Sequence, residues 1–341
     1  MMDQQLVRLL KVLNAREIRE TEDAVYFKIG ERQQEIYKGF PLVVQVETSS
    51  YCNMVCLGCP QKDMTRSRGF MDPELFEKIV DELGNYRSRV WLHYMGEPLM
   101  HPKIFDLIEY ASGKLSYFGM SSNGILLTRD MIERILDSEL QRFEISLDSL
   151  DLGLLDKLRP GGNPKNIIEN AHEFFRIKYK RGQKYPITSI NYRELRENLH
   201  ETEKFGAHWK KILKEPDFVL AFPYERFGGH ESAEHAAYTI AAERQPCLKL
   251  WNKALILSDG RLITCDAMFN GQMVMGDART ASIREIWNSP EYYKVRQKHI
   301  DGLANELKIC SECDSWYREV GPKDFRNLTS TTVKHEKLKE K

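Results

Sequence analysis

From residue 41 onward the chain alternates short apolar runs of β character with longer stretches whose apolar residues recur at helical spacing. The β-type runs are PLVVQVET (41–48), RVWLHYM (89–95), LSYFGMSS (115–122), QRFEISLD (141–148), YPITSIN (185–191) and DFVLAFP (217–223). Between them the period predicts helices over 72–84, 101–111, 128–139, 164–180 and 196–213, the first with an acidic start and Pro73 in its first turn. Strands alternating with helices in this way require parallel βαβ units, hence an α/β core that is either doubly wound or curled into a barrel. In both cases the chemistry belongs in the loops after the strand C-termini. After about residue 235 the rhythm breaks, and ALILSDGRLITCD predicts a hairpin turning at Asp259-Gly260. The expected division is an N-terminal extension (1–40), the α/β core (41–235), a small second domain (236–325) and a polar tail (326–341).

Composition changes this picture mainly by exclusion. Lys plus Arg and Asp plus Glu each number 50, so no overall field draws the chain to nucleic acid or to a membrane surface. The basic run RIKYKRGQKY (176–185) reads as a solvated helix C-terminus whose cations suit the helix dipole. No run approaches the ~18 apolar residues of a membrane span, and the N-terminus has acids early and no signal-peptide core. A cytoplasmic location is expected, where thiols stay reduced and clustered cysteines indicate metal before disulfides.

There are seven cysteines. Cys52, Cys56 and Cys59 crowd into SSYCNMVCLGCPQ (49–61), directly after the first strand run. A loop spaced Cys-X3-Cys-X2-Cys can wrap three corners of a [4Fe–4S] cube and leaves the fourth iron without a protein ligand. That spacing resembles the signature of the radical S-adenosylmethionine (SAM) enzymes. In that family SAM chelates the open iron, and reduction cleaves it to a 5′-deoxyadenosyl radical that takes a hydrogen atom from the substrate. MGEP (95–98) resembles the family's GGEP motif, which binds the SAM amino group, but departs from it at Met95, so the resemblance carries over Gly96, Glu97 and Pro98. SSNG (121–124) falls where the family has a Thr-Asn-Gly turn and carries over Asn123. SLDS (146–149), with KLRPGG (157–162), resembles the segment that contacts the SAM ribose and carboxylate, and carries over Ser146, Asp148 and Arg159. The fold that the resemblance implies is a partial (β/α)6 TIM-like barrel.

Cys247, Cys265, Cys310 and Cys313 are the remaining cysteines. Four thiolates can hold tetrahedral zinc. Their spacing, with SIREIWNSPEYYKVRQ (282–297) as a helical insert, also resembles the twitch domain, the shortened SPASM module of radical SAM enzymes. That resemblance implies a second, auxiliary [4Fe–4S] cluster, fully ligated and fit for electron transfer. Among twitch-bearing relatives the chain resembles 2-deoxy-scyllo-inosamine dehydrogenase-type enzymes. The implied reaction is a two-electron oxidation of a small polar substrate (sugar, aminocyclitol or nucleoside), with an external donor such as flavodoxin or ferredoxin. Alternatives are a redox-neutral decarboxylase, lyase or epimerase, a peptide-modifying SPASM maturase, and a two-cluster electron carrier without catalysis. The 40 residues before the first strand are short for a leader-peptide domain. Strand parity makes Glu47 and His93 candidate catalytic groups, places Gln45 beside Glu47, and puts Ser189 and Asn191 on one face. FPYERFGGHE (222–231) bridges the two parts and brings Tyr224, Arg226 and His230 as candidate substrate covers.

Overall fold

Alternation within the apolar runs separates two faces. Val44, Val46, Val90, Leu92, Phe143 and Ile145 are fully buried in one apolar core, while Gln45, His93, Ser121, Glu144, Ser189 and Asn191 lie at the opposite parity. The computed structural model describes residues 3–224, 226–230, 234–237 and 243–320, so the tail expected over 326–341 lies outside the described residues.

The chain begins with α1 (Gln4–Val12) and an antiparallel sheet of β1 (Arg16–Glu20), β2 (Ala24–Ile29) and β3 (Arg32–Tyr37). The core follows as β4 (Val43–Val46), α2 (Pro73–Leu83), β5 (Arg89–Trp91), α3 (Ile104–Ser112), β6 (Phe118–Ser122), α4 (Arg129–Asp137) and β7 (Arg142–Ser146). It continues through α5 (Leu152–Leu158), α6 (Pro164–Lys180), β8 (Ile187–Glu194), α7 (Thr202–Lys210) and β9 (Phe218–Pro223). The C-terminal part contains α8 (Lys249–Asn252), β10 (Lys253–Ile256), β11 (Arg261–Ile263), β12 (Val274–Asp277), α9 (Ile283–Trp287), α10 (Pro290–Ile300), α11 (Lys308–Ser311) and α12 (Ser315–Val320).

All the core strands from β4 to β9 pair in parallel with their sequence neighbours. Helix α2 shows why the crossovers form. Asp72 caps it by accepting from the Glu74 and Leu75 N–H groups, Pro73 opens it, and Phe76, Ile79, Val80 and Leu83 bury one stripe against the sheet core. Burying such a side chain is worth about 1.5–3 kcal/mol relative to leaving it exposed.

Three expectations change on contact with the structure. The C-terminal hairpin does turn at Asp259-Gly260, with Gly260 at φ +90°, but it continues the barrel sheet. β10 pairs in parallel with β4, Leu255 opposite Gln45, and β11 and β12 extend the sheet to nine strands. The run 89–95 keeps strand form only to Trp91, because the chain then turns into the MGEP loop. The insert 282–297 splits at Ser289-Pro290 into α9, opened by a Ser282/Glu285 capping box, and α10. The N-terminal sheet had no strand expectation. Leu6, Leu9, Val25 and Phe27 pack it against Leu248, Trp251 and Val295 of the C-terminal part. Its edge strand β1 is exposed, rich in charge and irregular between Arg16 and Arg19, features that blunt an edge against further pairing. No helix among the described residues is long and apolar enough to cross a membrane.

Candidate functional site

The three-cysteine loop lies at the C-terminal end of β4, where a parallel sheet gathers its functional loops. Backbone bonds clamp it onto the segment after α5: Val55 N–H donates to Pro160 O at 2.9 Å and Leu57 N–H to Leu158 O at 2.8 Å. Gly161 sits at φ +122°, and a Cβ there would meet Asn53 O at 2.8 Å. The RPGG turn is thus shaped to let two backbones touch.

The MGEP loop approaches from the other side. Glu97 N–H donates to Tyr51 O at 2.8 Å, and a Cβ on Gly96 would fall 2.2 Å from Ser49 O and 2.6 Å from Tyr51 O. Only glycine fits there. Glu97 is buried and its carboxylate accepts from Asn123 N–H (2.7 Å) and Leu99 N–H (3.2 Å). Pro98 begins the short turn that follows. Asn123 in turn donates through Nδ2 to Asn53 Oδ1 at 2.7 Å and lies 3.8 Å from Cys52 Sγ. Arg159 Nη1 lies 4.0 Å from Cys56 Sγ, and its Nε donates to Asp148 Oδ2 at 2.6 Å. Glu97, Asn123, Asp148 and Arg159 therefore converge on the cysteine loop.

Some individual roles need correction. Asp148 has both oxygens engaged, Oδ2 by Arg159 and Oδ1 by Arg193 N–H at 2.8 Å, so it braces Arg159. Glu47 is fully buried. Oε1 pairs with Arg66 at 2.5 Å and accepts from Met95 N–H, while Oε2 accepts from Ser258 N–H at 3.1 Å. It ties the cysteine-loop side, the MGEP loop and the C-terminal hairpin together, which is a bracing role and not that of a catalytic base. His93 Nδ1 accepts from Ser121 N–H at 3.1 Å, which leaves the neutral ring's proton on Nε2. Burial, helped by the Lys253 cation, pushes His93 down to about 4. His93 can donate to a hydroxyl oxygen but has no vacant nitrogen with which to take a proton.

Parity and register reveal a residue that sequence reasoning missed. Glu144 on β7 lies opposite Ser121 of β6 and Ser189 of β8, on the face that carries His93 and Ser146. Its Oε2 accepts from Asn191 Nδ2 at 2.9 Å, and Asn191 is oriented by Ser189 Oγ donating to its Oδ1, also at 2.9 Å. Ser146 Oγ and Ser121 Oγ meet at 3.3 Å alongside. Burial pushes the Glu144 carboxyl upward, toward the range of a useful base. The signal that could have found it is the alternation in QRFEISLD, which puts Glu144 at the parity of Ser146. Tyr224 is buried against Gly58 of the cysteine loop, where a Cβ on the glycine would meet its ring at 2.7 Å. His230 lies 3.3 Å from Asp63 Oδ2. Both therefore cover the outside of the loop.

The second set of cysteines lines one cavity: Cys247, Cys265, Cys310 and Cys313. No disulfide joins any cysteine. Among the described residues no three His, Cys, Asp or Glu side chains close around a single-ion position. The cavity also exposes buried donors with no partner among the described residues, on Thr264, His299 and Arg244. Each such atom costs about 1–3 kcal/mol unless something accepts from it.

Residues 46–203 match the description of the Radical SAM superfamily, and residues 247–314 match SPASM, an iron–sulfur cluster-binding domain. The chain is 22% identical over 283 residues to an S-adenosyl-L-methionine-dependent 2-deoxy-scyllo-inosamine dehydrogenase of Niallia circulans, covering 80% of this chain and 92% of that one. Its fold resembles BtrN in complex with AdoMet and 2-DOIA, at a TM-score of 0.55 and 19% identity over 81% of this chain and 93% of that one. It also resembles Streptococcus suis SuiB bound to precursor peptide SuiA, at a TM-score of 0.60 and 19% identity over 76% and 67%.

The two domains imply SAM with a [4Fe–4S] cluster at the first site and further iron–sulfur at the second. The donor sets fit. Burial pushes the Cys52 thiol up to about 11 and Cys56 up to about 12, so these sulfurs become thiolates only when a cation shares the site. At the second site four thiols, with donors that have no partner among the described residues, surround one cavity, as the sulfurs of a cluster would require. The chain therefore carries a radical SAM domain over residues 46–203 and a SPASM iron–sulfur domain over residues 247–314.

Proposed function

We propose that the protein is a radical SAM oxidoreductase that removes two electrons from a secondary alcohol of a small polar substrate, using the C-terminal cluster as electron acceptor. When bound, SAM and the loop cluster supply a 5′-deoxyadenosyl radical that takes a hydrogen atom from the substrate, and the C-terminal cluster takes the second electron. Cys52, Cys56 and Cys59 would hold the first cluster, and Cys247, Cys265, Cys310 and Cys313 the second. Gly96 and Glu97 would receive the SAM amino group and Asn123 would orient the loop around it. Pro98 sets the turn behind them, Ser146 lines the SAM-facing end of the polar face, and Arg159 places a cation beside Cys56.

In the barrel, His93 Nε2–H holds the substrate oxygen and Glu144 takes its hydroxyl proton. Asn191 and Ser189 fix the carboxylate. The loop cluster would be reduced by an external one-electron donor of the flavodoxin or ferredoxin kind. The observation that carries this reading is the disposition of the seven cysteines: three on the SAM loop and four around one cavity. No thiol is left to return a hydrogen atom, as epimerisation would require, whereas loss of an electron has an acceptor. A small substrate is favoured by the similarity to the 2-deoxy-scyllo-inosamine dehydrogenase of Niallia circulans, which extends over 92% of that protein.

The test is incubation of reduced, reconstituted protein with SAM in deuterated water and a panel of aminocyclitols, sugars and nucleosides. A turned-over substrate is expected to lose two mass units. A product of unchanged mass plus one deuterium would overturn the oxidation. With the substrate so found, Glu144→Gln is expected to lower product formation by about 10²–10⁴-fold while SAM cleavage persists.

A binding experiment checks the SAM contact. Burial pushes Glu97 up to about 7, against the pull of the Asn123 and Leu99 N–H donors. An amino group donating its N–H to Glu97 favours the ionised carboxylate, so below pH 7 binding must expel the carboxyl proton. The SAM dissociation constant is expected to fall as pH rises toward 7, and to fall less steeply in Glu97→Gln, which keeps only the proton lost from the SAM amino group, by up to about tenfold per pH unit. Equilibrium dialysis of reconstituted, unreduced protein measures both.

A further inference from the structure

Three buried polar atoms without a partner among the described residues share the cavity of the four C-terminal cysteines: His299 Nε2, Thr264 Oγ1 and Arg244 Nε. Each comes from a segment tied to the cysteines themselves. Thr264 immediately precedes Cys265 and is fully buried. Arg244 donates from Nη1 to the carbonyls of Cys310 and Cys313, which fixes its guanidinium plane. His299, 3% exposed on α10, accepts the Cys247 N–H through Nδ1 at 3.3 Å. With Nδ1 occupied as an acceptor, the neutral imidazole carries its proton on Nε2 and can only donate there. In an apolar cavity these donors would be a pure cost. Sulfur bearing negative charge removes that cost.

We propose that His299 and Thr264, supported by Arg244, donate hydrogen bonds to the sulfurs of the cluster held by Cys247, Cys265, Cys310 and Cys313, and thereby raise its reduction potential. The inference rests on the reading above that these thiolates hold an electron-accepting cluster. Its sign follows from charge. Four thiolates make the site anionic, and one entering electron makes it more so without forming or breaking a bond to the protein. Donors aimed at the sulfurs stabilise the more negative state, so each one shifts the potential upward. His299 and Thr264 are thus positioning residues for electron transfer, and neither touches substrate.

The measurement uses the full chain carrying Cys52→Ala, Cys56→Ala and Cys59→Ala, reconstituted anaerobically so that only the C-terminal cluster remains. Its midpoint potential is followed by electron paramagnetic resonance during a redox titration. His299→Leu is expected to lower the midpoint and remove one exchangeable-proton coupling, with iron still at about four per chain. His299→Gln, which keeps a donor at the same reach, recovers most of the potential, and Thr264→Val lowers it independently. Unchanged midpoints in His299→Leu and Thr264→Val overturn the proposal, as does a directly bonded nitrogen coupling in the parent, which would make His299 a ligand. Where His299→Leu fails to hold iron, the isosteric Thr264→Val decides by the same criterion. No substrate is involved, so failure of the oxidation and failure of this inference are separately visible.

Discussion

Replacing Cys56 by Ala is expected to abolish 5′-deoxyadenosine formation and to lower iron from about eight to about four per chain. The loop supplies only three protein thiolates, so losing one leaves two where the cluster needs three. The neighbourhood cannot compensate. Arg159, 4.0 Å from Cys56 Sγ, is a cation, and Asn53 Oδ1 already accepts from Asn123. The fold is expected to survive, because Cys56 only packs against the edge of the main apolar core. Iron analysis, circular dichroism and product chromatography on one preparation check all three statements. A Cys56→Ala protein that still cleaved SAM at the parent rate would remove the loop from the mechanism.

The second large effect is on stability. Glu47→Ala is expected to destabilise the chain by about 3–5 kcal/mol in denaturant unfolding, because Arg66 would be left as an unpaired buried cation. Arg66 is 8% exposed, and its Nη2 donates to Glu47 Oε1. The same substitution frees the N–H groups of Met95 and Ser258, so the MGEP loop and the C-terminal hairpin should loosen together. A catalytic base would behave differently, with activity lost and stability unchanged. That outcome would restore Glu47 to the catalytic role that parity alone suggested.

Glu47 shows how far the sequence can be read. Alternation in PLVVQVET put Gln45 and Glu47 on one face, and in the structure Val44 and Val46 take the opposite parity in the apolar core. Parity does not name a partner, and the partners of Glu47 come from residues 66, 95 and 258. The same limit hid the strand pairing of β10 with β4, which joins segments about two hundred residues apart. The cysteines were legible because metal-ligand spacing is local. The MGEP, SSNG and RPGG turns were legible for a related reason: Gly96 and Gly161 mark close backbone approaches that a Cβ would block. His299 and Thr264 carried no local signal. Only the cavity that gathers their orphaned atoms with four thiols distinguishes them. Of the N-terminal strands, β1 escaped because it is exposed along its whole length and so lacks apolar alternation, whereas β2 carries that signal in Val25, Phe27 and Ile29 and was open to detection.

The division of labour between the two cysteine sets is the central claim, and 5′-deoxyadenosine release from the chain carrying Cys265→Ala, Cys310→Ala and Cys313→Ala tests it most directly. With dithionite and SAM, and with the loop cluster loaded at about four irons per chain, that protein is expected to cleave SAM while forming no oxidised product. Complete loss of SAM cleavage, with the loop cluster intact and the fold retained, would contradict the account.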